Sequence, residues 1–130
     1  MSGFEFEEMK KLGQQLKKQE QEFDGFIRKF LLKMALDAVG RAKSNTPVDT
    51  GLLRAAWTVG DVQRQDNNLM VALVNPIEYA SFVEYGHMTR DRNHWVEGKF
   101  MATLAIDEVA RLIPARLQTE YATWLAGLGV

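Results

Sequence analysis

Four side chains in one short stretch are of types that bind metals or move protons: Glu84, His87, Asp91 and His94. Glu84 and His87 stand three apart, so on a helix they would share a face. Carboxylates with imidazoles are a common set for zinc or for hydrolysis. The set is incomplete, however. The chain has only two histidines, they lack the spacing of a helical metal pair, and no motif supplies a nucleophile or an orienting partner for either as a base. Asp49-Thr50-Gly51 resembles the triplet of aspartic proteases. That chemistry requires two carboxylates sharing a proton, and no second such loop exists. Asp49 is better read as the side chain that turns the chain into a short helical segment from Leu52. Arg90-Asp91-Arg92 offers guanidinium groups for phosphate or carboxylate, or is a solvated loop of self-compensating charge. No glycine-rich phosphate cradle is present. Neither a metal nor a cofactor is expected.

The elements that would position these groups can be read from periodicity. Phe23, Phe26, Ile27, Phe30, Leu31, Met34, Ala38, Val39 and Ala42 recur three and four apart and predict a helix. Asp24 would cap it and Ser44-Asn45-Thr46-Pro47 would end it. Before it, Phe4, Met9, Leu12 and Leu16 make a thinner stripe, followed by the polar run Lys17–Glu22. Gly13 and Gly25 each cost a helix interior about 1 kcal/mol. The expectation is one long helix bending near Gly25, or two pieces, with residues 1–22 an arm ordered by a partner and residues 23–130 a single domain. Trp57–Val62 and Leu69–Val74 flank the polar turn Gln65–Asn68 and predict an antiparallel hairpin. The second run is apolar on both faces and should be covered on both. A lone hairpin is marginal in water, so it must pack on helices or on a neighbour's sheet. After Pro76, Ile77–Tyr85 suits a short helix with Tyr79, Phe82 and Val83 on one face and Gly86 as its stop. His87–His94 reads as a polar loop. Glu97–Leu112 is helical through Phe100, Leu104, Ala105 and Val109. Pro114 should stop it and open a last helix carrying Leu117, Tyr121, Trp124, Leu125 and Leu128. The fold class is α+β: a long N-terminal helix, a small antiparallel hairpin, a short helix and two C-terminal helices.

Composition narrows the function. At 130 residues with 46% hydrophobic content, one domain is expected, built only if most of the chain folds together. No apolar run approaches the roughly 20 residues of a membrane helix, and the first residues lack the features of a secretory leader. The absence of cysteine excludes disulfides and thiolate metal sites and fits a reducing compartment. Sixteen basic residues against 17 acidic ones, net charge -1, argue against a dedicated nucleic-acid binder.

Two words frame the middle of the chain. The first is Thr46-Pro47-Val48-Asp49-Thr50-Gly51-Leu52-Leu53-Arg54, followed by Trp57. The second is Asn75-Pro76-Ile77-Glu78-Tyr79-Ala80-Ser81-Phe82-Val83-Glu84-Tyr85-Gly86-His87. With the amphipathic helix before them, the hairpin between them and Trp95, Gly98, Phe100 and Met101 after them, they resemble the small tail-component proteins of long-tailed bacteriophages and prophages. The resemblance covers Phe26 to Leu112. It implies a non-enzymatic virion protein of the neck, assembled in the bacterial host cytoplasm, that completes the tail and joins it to the head. Head–tail connection and tail termination are neighbouring stations that similar proteins occupy. The resemblance also implies a ring, often six-fold, whose partners are copies of itself, a tail terminator, the tail tube and a head-closure protein. DNA would pass nearby without being read, and no membrane would be involved.

On this reading Asp49, Arg54, Trp57, Tyr79, Glu84, Tyr85, His87, Arg90 and Arg92 are candidates for the surface joining subunits or rings. Aromatic and arginine side chains dominate interface energetics, and a hairpin edge can extend into a neighbour's sheet. Two readings of other kinds stand beside it. One is a small metal-dependent hydrolase or toxin-like enzyme using Glu84, His87, Asp91 and His94. The other is a coiled-coil adaptor that binds through its N-terminal helix.

Overall fold

A computed structural model describes residues 3–47 and 51–128, with side chains from Met9 onward. The chain begins with α1 (Gly3–Asn45) and a short α2 (Gly51–Ala55). Four short strands follow: β1 (Thr58–Val59), β2 (Gln63–Gln65), β3 (Asn68–Met70) and β4 (Leu73–Val74). Then come α3 (Ala80–Tyr85), β5 (Gly86–Met88), β6 (Trp95–Glu97) and a long α4 (Met101–Gly127). The fold is α+β, as the residue pattern implies, with α1 and α4 as its frame.

α1 runs through Gly25 without a break. Aromatic packing on either side of the glycine outweighs its propensity cost. Phe23 meets Tyr121 edge-on at 6.1 Å, and Phe26 stacks on Trp124 at 5.1 Å. Asp24 is not a cap; it lies inside the helix, where it accepts from Arg28 one turn on at 2.8 Å and pairs with Arg64. The helix ends where Ser44–Pro47 predicts.

The core lies where α4 crosses α1. Val39 and Ala42 of α1 meet Met101 and Ala105 of α4, with Leu53 and Trp57 closing the cluster. Farther along, Phe30, Met34 and Ala38 pack with Val109. Small side chains at Ala38, Ala42 and Ala105 let the two backbones approach closely. Ion pairs flank the contact. Arg116 donates to Asp37 at 2.5 Å, Arg41 bridges Asp37 and Glu108, and Lys33 reaches Glu120.

Two C-terminal helices were expected, and the structure has one. Pro114 sits inside α4. A proline there forfeits one backbone hydrogen bond, yet the apolar stripe continues on both sides of it. Val109, Ile113 and Leu117 all pack on the α1 cluster, and that burial carries the helix past the proline.

The predicted hairpin forms in two sections. β2 and β3 pair beside the turn, in the register Gln65↔Asn68, and β1 and β4 pair at the base. Gly60 N–H donating to the Ala72 carbonyl at 2.9 Å spans the interruption. Asp66 takes the positive φ (56°) that a two-residue hairpin turn demands. The second run is covered on one face only, contrary to expectation. Leu69, Val71 and Leu73 are half-buried, whereas Met70 and Val74 are exposed. Leu73 reaches both core clusters, and no described element lies over the opposite face.

Asp37 supplies a pH test of the helix pair. Its carboxyl is held below the ordinary value of 3.8, chiefly by the Arg116 hydrogen bond and then by Arg41. Its stabilising contribution is therefore complete above that value and is lost as pH falls through the lower folded value. Asp37→Asn should cost about 1 kcal/mol at neutral pH. Thermal unfolding against pH should show the gap between variant and parent closing below pH 3.8.

Candidate interaction surface

The first framing word is mostly structural. Thr46 is buried; its hydroxyl donates to the Ala42 carbonyl at 2.7 Å and accepts from the Trp57 indole N–H at 3.0 Å. Trp57 is therefore a satisfied core residue, 7% exposed, and offers almost nothing to a partner. The Leu53 side chain is fully enclosed, and its carbonyl accepts from the Asn75 amide at 2.9 Å. That bond ties the first word to the start of the second. Arg54 is half-buried on α2. Asp49 lies outside the described residues.

In the second word Glu84 has a specific task. It is 5% exposed. One carboxylate oxygen accepts from the Ala102 amide at 2.9 Å, and the other accepts from the Thr103 amide and hydroxyl at 2.8 Å each. These amides belong to the first turn of α4, where helix donors have no partner inside the helix and the dipole favours negative charge. Glu84 thus caps α4 from a distance. Phe100, which opens α4, adopts a left-handed conformation (φ 50°) and contributes no side-chain cap.

The chain around this cap is crossed tightly. Lys99 N–H donates to the Val83 carbonyl at 2.7 Å, and Phe100 N–H to the Glu84 carbonyl at 3.0 Å. At the crossing Gly86 and Gly98 face each other. A Cβ on Gly98 would lie 2.5 Å from the Glu84 carbonyl oxygen, and one on Gly86 2.6 Å from that of Val96. Gly86 also has φ +89°. It does not simply stop α3; it starts β5.

The stretch read as a polar loop is in fact a second hairpin. β5 and β6 pair with His87↔Val96 and Met88↔Trp95. Only Thr89–His94 forms its loop, and Asp91 organises it. One Asp91 oxygen accepts from the Thr89 hydroxyl at 2.5 Å and from Asn93 N–H at 3.1 Å, and these bonds lower its pKa, Thr89 most. Arg92 takes φ 60° within this turn, which leaves Arg90 and Arg92 exposed. Strand geometry was missed because Gly86 and the charged residues mask a run of only three residues on each side.

The α3–β5–β6 unit collects the exposed aromatic surface. Tyr85 is 64% exposed and Trp95 54%. Phe82, Met88 and Val96 are exposed beside them, and Tyr79 at the head of α3 is partly so. His87 is half-buried, packed against Phe82 at 5.5 Å. Its Nδ1 is buried without a hydrogen-bond partner, in a hollow of about 440 Å³ shared with Pro47, Val83 and Val96. The two framing words meet there. The structure therefore gathers Tyr85, His87, Arg90 and Arg92 on one unit, puts Glu84 beneath it and leaves Trp57 in the core. Sequence reading overlooked Phe82, Met88, Trp95 and Val96 as contact residues; Met88 before a polar turn and Trp95-Val96 after it were the available signal. The proposed metal set does not assemble. Among the described residues no three acidic or histidine side chains converge on one point.

This defines a class: a small α+β chain whose exposed chemistry is suited to contact with other proteins. A family model described as "Bacteriophage HK97-gp10, putative tail-component" matches residues 10–86. The match spans more than half of the chain, and the chain belongs to this family of bacteriophage tail components. The family gives it a structural role in the tail, and so a place in the virion among other tail proteins. The match includes most of the arm ahead of Phe26 and stops at Gly86, so β6 and α4 lie beyond it. No curated protein and no solved structure matches the chain. No described helix is long and apolar enough to cross a membrane.

Replacing Glu84 by alanine should strip the cap from α4 and leave two amides without it. The expected loss is about 3 kcal/mol, seen as a melting temperature lower by roughly 10 °C. Glu84→Gln, which keeps one acceptor, should recover part of it.

Proposed function

We propose that this tail component works at the neck, as a tail-completion protein that adds to the head-proximal end of the tail and joins it to the head. In this reading copies associate head-to-tail into a closed ring, six-fold by family resemblance, around the passage through which DNA leaves. Tail terminator, tail tube and head-closure proteins are its neighbours, and assembly takes place in the host cytoplasm. The observation that supports this is the α3–β5–β6 unit. Two short strands with open edges carry Met88, Trp95 and Val96 into solvent beside Tyr85 at the end of α3, and their loop presents two exposed arginines. Open edges can extend a neighbour's sheet, and a directional contact of this kind closes into a ring when repeated. Arg54 and Tyr79 border this surface in the proposal, and Asp49 is assigned to it by sequence alone.

Deletion of the gene, followed by negative-stain microscopy of the lysate, tests the reading. Full heads beside separate tails of normal length, rescued in trans, are expected. Tails of abnormal length would move the protein to tail termination, and intact infectious virions would overturn the neck assignment. Tyr85→Ala with Trp95→Ala should fail to rescue while melting within a few degrees of the parent, because both side chains are already exposed.

A further inference from the structure

The first hairpin is held firmly at its base and loosely at its tip. At the base Val59 of β1 pairs with Leu73 of β4, and both side chains pack on the core. At the tip Leu69 is the only half-buried residue from Gln63 to Met70, and it belongs to neither core cluster. Between the two the ladder is broken. Residues 60–62 and 71–72 lie outside all strands, and among the described residues one bond, Gly60 N–H to the Ala72 carbonyl at 2.9 Å, joins the two chains there. Below the tip is a groove of about 790 Å³ whose other walls are α1 and α4. Ile27, Leu31, Ile113 and Leu117 are among its apolar lining, and Leu69 lines it from the tip. Arg64 stands opposite Leu69 in the ladder, so both share one side of the strand pair. On that side Arg64 pairs with Asp24 of α1, the one side-chain hydrogen bond or ion pair from the tip to a helix among the described residues.

We infer that the β2–β3 section is a hinged flap over this groove, latched by Arg64 on Asp24 and turning about residues 60–62 and 71–72. The latch is reversible for three reasons. Its side chains are 44% and 35% exposed, so water can replace either partner and salt screens the pair. Asp24 keeps Arg28, 2.8 Å away on its own helix, when Arg64 leaves. The tip also buries little apolar surface in the groove beyond Leu69, too little to fix a two-stranded unit that is marginal by itself. Opening swings Leu69 away and bares Ile27, Leu31, Ile113 and Leu117, while Val59 and Leu73 keep the base in place. The hinge couples exposure of an apolar patch between the two long helices to ionic strength. This device is local to the first hairpin and does not rest on the neck reading.

Distances between spin labels on the purified full chain test this. The chain has no cysteine, so labels can be confined to Gln65→Cys on the tip and Gln118→Cys on α4, both exposed positions. Two separations are expected, a shorter closed one and a longer open one. Arg64→Glu should raise the ratio of open to closed by roughly two- to fivefold, the range an exposed ion pair supports, and should leave thermal unfolding within a few degrees of the parent. Sodium chloride at about 1 M, where the screening length is about 3 Å, should raise the ratio in the parent but not in Arg64→Glu. Gly60→Ala should lower it. The added Cβ would stand 3.7 Å from a Val74 methyl and 3.8 Å from the Ala72 carbonyl oxygen, so it fits the closed form while narrowing the freedom of the hinge. A single separation in the parent and in Arg64→Glu at every salt concentration would overturn the proposal. So would a longer separation indifferent to Arg64, salt and Gly60. Equal lengthening between labels at Lys29→Cys on α1 and Gln118→Cys would also overturn it, because the helix pair rather than the flap would then be opening.

Discussion

The close approach of α4 to α1 is the constraint on which the rest of the structure depends. Alanines at 38, 42 and 105 bring the two helices together, and the larger Met34, Met101 and Val109 fill the spaces left along the contact. The enclosed core is small: among the described residues the largest side chains sealed completely are Leu53 and Met101. The ion pairs beside it are about one-third exposed on average, and such pairs contribute at most about 1 kcal/mol each. Apolar packing along the helix pair therefore sets stability. It also explains why the glycine at 25 and the proline at 114 leave both helices unbroken. Each sits between residues that this packing holds in place.

The display surface is tied to that frame through one carboxylate and two glycines. Glu84 lies in α3 yet satisfies amides of α4. The crossing at Gly86 and Gly98 brings the hairpin's two ends within backbone hydrogen-bonding distance. A two-stranded hairpin is marginal by itself. Here its base is fixed to a helix terminus, so the strands can project apolar side chains without a sheet behind them. The residues that fix the unit and those that it displays alternate along one word of sequence: Glu84 and Gly86 fix it, while Tyr85 and Met88 are displayed.

That alternation limits what the sequence makes legible. The helix from Phe23, the first hairpin and its turn, α3 and the α+β class follow from periodicity and turn chemistry. So does the expectation that Tyr85 is a surface residue. Trp57 and Glu84 were read as contact residues because aromatic and charged side chains suit interfaces. Their burial depends on partners distant in sequence, Thr46 for the one and Ala102 and Thr103 for the other, which no local pattern announces. The second hairpin escaped for a related reason. Its strands are three residues long, too short for alternation to register, and its start is set by a glycine at which the backbone of Val96 and Gly98, distant in sequence, leaves no room for a side chain. Pro114 illustrates the opposite error, in which a strong local signal is overruled by burial along the whole helix.

The two exposed apolar regions differ in a way that bears on assembly. The hairpin unit is anchored at its base, carries aromatic side chains on short strands and costs little conformational entropy to fix further. Among the described residues the apolar stripe of the arm before Phe23 is uncovered, and a helix of its length is marginal in water unless such a stripe is covered. A preformed surface and a conditional one suit successive steps of assembly. The hairpin can meet a partner at any time. The arm's stripe gains the free energy of burial only when another apolar surface covers it.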